Sequence, residues 1–174
     1  ERVYTSVIGT DLPDEIYGSK IIDEQLYVYG RSTRFHGQFY DGFIATMDIE
    51  LGMLNYAYNI DIFNGDMFYD IAQLDDGKIL AVGATAWSQN PLGFSVSENS
   101  EKLAAFIDEN GTVTSTIVLP QGPRHNQIRS VVILNEEWLL FGGFDNAPGT
   151  HSGDEDASLI KADAFLITHK IEEQ

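Results

Sequence analysis

The sequence predicts an all-β chain made of repeated four-stranded antiparallel meanders, and three observations carry that prediction. Short segments rich in Ile, Val, Tyr, Phe and Thr recur between turn residues such as Asp75-Asp76-Gly77 and Glu109-Asn110-Gly111, where glycine supplies the positive φ of a tight hairpin. One pattern occurs three times, in IIDEQLYVYGRST from Ile21, QLDDGKILAVGAT from Gln73 and ILNEEWLLFGGFD from Ile133. Aligning Gly30, Gly83 and Gly142 sets these copies at nearly equal intervals along the chain. No segment sustains a 3.6-residue apolar period beyond about a dozen residues, so helix is minimal.

Each copy contains the same strands in the same order. Strand a is the apolar stretch Ile16–Ile22, Phe68–Leu74 or Ile128–Leu134. Strand b follows after a short turn and is almost continuously apolar at Ile79–Val82 and Trp138–Phe141, as expected where both sheet faces are covered. Its terminal glycine suits a strand that another backbone approaches closely. Strand c comes after a longer polar stretch, in DGFIATMDIELG from Asp41, EKLAAFIDENG from Glu101 and DAFLITHK from Asp163. Asp48 and Asp108 align at the same point of successive copies, each before a turn ending in Gly52 or Gly111. Strand d is LNYAYNI from Leu54 and TVTSTIVLP from Thr112.

The ends of the chain complete the pattern. RVYTSVIGTDLP from Arg2 matches strand d and its link, whereas the C-terminus stops after a strand c. The order is therefore d, abcd, abcd, abc, the arrangement by which a β-propeller closes its ring and removes an open edge. The expected division is one domain, 1–174, with 1–12 as the closing strand d of a split blade. Blade 1 then spans 13–61, blade 2 spans 62–120, and blade 3 spans 121–174 with strands a to c. The chain resembles the four-stranded blade repeats of secreted and cell-surface bacterial β-propellers, on the strand-b segment DGKILAVGAT and the strand-c pattern D-x-F-L. That resemblance implies an exported protein, extracellular or in the cell envelope, without implying a chemistry. Propellers typically have about 4–8 blades, so three blade equivalents imply a homodimer forming a six-bladed ring, or a segment of a longer propeller. An ordinary β-sandwich with paired terminal strands is the competing architecture.

Composition narrows the function. With 10 Lys+Arg against 27 Asp+Glu the formal charge is −17, which argues against nucleic-acid binding and against docking on an anionic membrane. No apolar run reaches the length of a membrane-spanning helix. The absence of cysteine removes disulfides, thiolate metal sites and cysteine nucleophiles. The chain starts at Glu1 without a leader-like segment and reads as a processed or excised piece.

In an up-and-down meander the b–c and d–a links share one edge, and here they are the long ones. Binding residues are expected on that face. Its loops supply Arg31, Arg34, His36, Trp87, Phe94, Arg124 and His125 as ligand contacts, a mixture of rings and planar polar groups suited to a glycan, peptide or protein ligand. The same loops hold enough carboxylates for an alternative, a glycan-active hydrolase or lyase using a pair among Asp61, Asp66, Asp145 and Asp154 near His125 or His151. No nucleophile elbow, phosphate loop or dinucleotide fingerprint occurs, so no catalytic residue is assigned. A zinc site would need His36, His125 and His151 to converge from separate loops. No cofactor is predicted. Calcium is the one ion with candidate oxygens, at Asp154-Glu155-Asp156 or along Asp61, Asn64, Asp66 and Asp70, though neither has EF-hand spacing. The reading is a non-enzymatic binding or scaffold module.

Overall fold

A computed structural model describes residues 14–33, 40–62, 65–85, 100–117, 119–120, 125–135, 137–147 and 163–171. Among them there are eleven strands and no helix: β1 (Glu15–Ile22), β2 (Gln25–Thr33), β3 (Tyr40–Asp48), β4 (Leu54–Ile60), β5 (Met67–Gln73), β6 (Ile79–Thr85), β7 (Glu101–Ile107), β8 (Val113–Thr116), β9 (His125–Asn135), β10 (Trp138–Ala147) and β11 (Asp163–Lys170). They form three antiparallel sheets in the orders β1-β2-β3-β4, β5-β6-β7-β8 and β11-β10-β9. The predicted strands a, b, c and d all form within this span. Strand d of the second sheet is short, but the Ile117 N–H still reaches Ala104 O at 2.9 Å beyond its end. The closing strand expected at 1–12 lies outside the described residues.

The sheets stack face to face. β5 packs on β1, β2 and β3, and β9 packs on β5, β6 and β7, so the first strand of each later sheet meets the sheet before it. One core lies between the first two sheets and contains Tyr27, Tyr29, Ile44, Phe68, Ile71, Ala81 and Leu103. A second lies between the next two and contains Leu80, Val82, Ala104, Ile128, Val131, Leu139 and Phe141. β6 sits in the middle with every residue buried, which is why its sequence shows no polar alternation. Each large side chain so buried contributes about 1.5–3 kcal/mol. A third, smaller cluster of Val28, Phe43 and Ala45 is buried on the other face of the first sheet.

The recurring glycine has a steric cause, and the third copy differs from the sequence alignment. In β1, β5 and β9 one extra residue is inserted opposite β2, β6 and β10, giving β-bulges at Tyr17, Tyr69 and Arg129. The glycines paired beside those bulges are Gly30, Gly83 and Gly143. A Cβ at any of the three would run into a backbone carbonyl oxygen, that of Glu15, Met67 or Gln127. Gly142, aligned from sequence, instead pairs with Ser130 one position away. With Gly143 in its place, the interval from Gly83 equals that between Asp48 and Asp108.

Turns repeat as closely as strands. Asp48 accepts the Leu51 N–H at 2.7 Å, and Asp108 accepts those of Asn110 and Thr112 at 2.9 and 2.8 Å, so each aligned carboxylate caps its own c–d turn. The joints between sheets repeat as well. Asp66 N donates to Tyr40 O at 2.8 Å, and at the matching point of the next repeat Asn126 N donates to Ser100 O at 2.9 Å.

Candidate functional site

The strand order confirms the polarity of the links. One edge carries turns of two to five residues, at 23–24, 49–53, 74–78, 108–112 and 136–137. The other carries links of six to fifteen residues, at 34–39, 61–66, 86–100, 117–124 and 148–162.

At the long-link end a row of rings and guanidinium groups crosses all three sheets. Arg31, near the end of β2, lies 3.9 Å from the Tyr40 ring of β3 and 5.9 Å from the Tyr17 ring of β1. Tyr17 meets Tyr69 of β5 with centroids 5.0 Å apart and planes tilted by 39°. Arg129 of β9 lies 3.8 Å from the Tyr69 ring and 5.3 Å from that of Phe144 on β10. Tyr17, Tyr69 and Arg129 are the three bulge residues. A bulge redirects the extra side chain out of the regular alternation. Repeating it in each first strand brings the three together where those strands are neighbours. Tyr17 is 36% exposed and Arg129 is exposed, so the row is open to solvent.

Glu15 organises one end of this row. Its carboxylate accepts Arg31 Nη2 and the Tyr17 hydroxyl, each at 2.7 Å. The Arg31 hydrogen bond holds the Glu15 carboxyl below its ordinary value, with the Tyr17 hydroxyl adding to it. Burial, reinforced by the bond to Glu15, pushes Tyr17 well above the usual phenol range. Beneath the row Asp70 joins the sheets. It accepts Lys20 Nζ at 2.7 Å and the Tyr29 hydroxyl at 3.3 Å from the first sheet, and the Val131 N–H at 3.0 Å from the third.

Of the seven residues expected to contact ligand, Arg31 and His125 fall among the described residues. Arg34, His36, Trp87, Phe94 and Arg124 lie outside them. Arg31 is in the row. His125 is 6% exposed, with Nδ1 3.3 Å from the Ser100 hydroxyl, and burial lowers its pKa from 6.5. It packs inside the joint between the second and third sheets, away from solvent.

Among the described carboxylates of the alternative reading, Asp61 is exposed, and the other two hold structural partners. Asp66 accepts the Ile62 N–H at 2.7 Å and the Thr85 hydroxyl, closing its own link against β6. Asp145 pairs with Lys102, whose side chain is 1% exposed and whose ammonium also donates to Pro120 O and lies 4.7 Å from the Phe165 ring. Asp154, His151 and the acidic stretch 154–156 lie outside the described residues. Among the described residues no three His, Asp or Glu side chains converge as a metal-ligand set.

Tyr17, Tyr69, Arg129 and Phe144 were not singled out by loop composition. Their signal is local: Ile16-Tyr17-Gly18, Phe68-Tyr69-Asp70 and Ile128-Arg129-Ser130 place a large side chain at the same out-of-step position of each strand a. A concavity of about 680 Å³ opens at the opposite, short-turn end between β1, β5 and β9, lined by Lys20, Ile22, Gln73, Asp75, Val131 and Ile133 among others. No family model matches the chain, and a search of curated proteins returns no match.

Proposed function

We propose that this chain is a non-enzymatic binding module with a β-propeller architecture, its ligand contacting the long-link end of the first strands. The ligand class is a glycan, peptide or protein. The observation that carries the reading is the row from Tyr40 through Arg31, Tyr17, Tyr69 and Arg129 to Phe144, four rings and two guanidinium groups of which the central Tyr17, Tyr69 and Arg129 come from repeated bulges. Such a surface combines apolar faces with directional donors, the composition of binding hot spots. Its rings and guanidinium groups already pack on one another, so less side-chain freedom is lost on binding. The pairing of Asp66 and Asp145 with structural partners favours binding over carboxylate chemistry.

The propeller reading is supported by the repeated stacking of sheets through equivalent faces. Glycan and peptide arrays probed with the full chain test the function. The expected result is binding to a defined subset that weakens at least tenfold in Tyr17→Ala, whose ring is partly exposed and whose loss leaves both cores intact. Unchanged binding in Tyr17→Ala, or turnover of a chromogenic glycoside that Asp66→Asn abolishes, would overturn it.

A further inference from the structure

The two arginines of the row are not equivalent. Arg31 is neutralised by Glu15, and its side chain is 19% exposed. Arg129 is exposed, its guanidinium is flanked by Tyr69 and Phe144, and no described carboxylate pairs with it. That is unusual in a chain where acids outnumber bases 27 to 10. Three described carboxylates of these strands are engaged by other cations: Glu15 with Arg31, Asp70 with Lys20, Asp145 with Lys102.

A guanidinium held against an aromatic face keeps its in-plane N–H groups directed sideways, away from the ring. Five donors in a rigid fork match a carboxylate bidentately, and the flanking rings restrict the rotamers that would otherwise be lost on binding. Resting on the binding reading above, we infer that Arg129 is the anion-reading point of this surface, and that its ligand is an oligosaccharide carrying a single carboxylate, as a uronate or sialate residue does.

The charge balance selects one carboxylate over many. At physiological salt, interactions between exposed charges fade beyond about 8 Å, so a carboxylate on Arg129 feels mainly that guanidinium. Further charges along a polyanion would lie over a molecule of net charge −17 with no second unpaired cation beside Arg129 among the described residues. A neutral sugar framework suits the remaining row, where the partly exposed Tyr17 ring offers an apolar face to sugar C–H groups.

The test is an array of neutral oligosaccharides, each printed beside its uronate-capped and sialate-capped derivative, with an acidic peptide series alongside, probed with the full chain. The expected result is that at least one capped member exceeds its neutral parent by about tenfold to a hundredfold, the scale of a charge-assisted hydrogen-bonded pair. Arg129→Gln should return that member to the level of its parent, and Arg129→Lys should recover only part of the difference, keeping the charge without the fork. Circular dichroism of both variants checks that the fold is intact. Equal binding of capped and neutral members, unchanged in Arg129→Gln, overturns this inference and leaves the binding reading standing. Preference for the acidic peptides over every glycan also overturns it. Binding to nothing on either array overturns this inference, and a blank result on the full glycan and peptide arrays overturns the binding reading as well.

Discussion

Lys102 and Asp145 link the second and third sheets through an ammonium that is almost wholly removed from water. A buried ion is tolerated only while its partner remains, because desolvation costs several kcal/mol per charge and the attraction merely offsets it. Asp145→Ala should therefore lower stability by about 3 kcal/mol. Lys102→Met, which fills similar volume beside Phe165 without charge, should cost far less, and urea unfolding of the two variants separates the cases. His125 gives the matching pH dependence. Its folded pKa is depressed by burial, so the unfolded chain binds a proton more readily below about 6.5. The stability it contributes is present above that pH and is lost as pH falls through the folded value. His125→Gln should flatten the fall in unfolding free energy as pH drops below about 6.5.

At the scale of elements, β6 shows why two neighbouring glycines serve different ends. Gly77 precedes the strand in a turn at φ +85° with open space where a Cβ would sit, so alanine there meets only the cost of a left-handed backbone, roughly 1 kcal/mol. Gly83 lies against the Met67 carbonyl at the bulge, where alanine forces β5 and β6 apart. Gly83→Ala should cost about 3 kcal/mol and lower the thermal midpoint by several degrees more than Gly77→Ala, read by calorimetry. The strands themselves were legible because period, turn residues and repeat agreed. The bulges were not, since an inserted residue leaves composition unchanged and shows only as a one-step slip in pairing. That slip is also why Gly142 seemed the equivalent of Gly83 when Gly143 holds the position.

At the scale of the whole molecule, equivalent faces of successive sheets are covered unequally. Leu166 is 77% and Val132 51% exposed on the third sheet, whereas Ala104, which holds Leu166's position in the second, is 1% exposed against the third. A face that is buried in one sheet and bare in the next is suited to a further sheet, and exposed apolar patches mark such contacts. A two-chain ring predicts a mass near twice 19.4 kDa by light scattering. Leu166→Glu should then give the single-chain mass with an unchanged thermal midpoint when the two are compared at a dilution that dissociates the pair. A wild-type mass of one chain at all concentrations would remove the two-chain ring. The burial of Val28, Phe43 and Ala45 within the single chain makes that measurement discriminating, because a head-to-tail pair needs both outer faces.

Periodicity, turn chemistry and the threefold repeat determined by themselves which segments are strands, their antiparallel order and the edge that carries the long links. Each rests on interactions within a single repeat, which a linear pattern records. The candidate site was decided only in three dimensions. Arg31 could be proposed from its loop, but Tyr17, Tyr69 and Arg129 sit far apart in the chain, and it is the packing of first strands that sets them side by side. The same packing buried His125, because a residue's exposure depends on which sheet lies over it, and no local pattern encodes that neighbour.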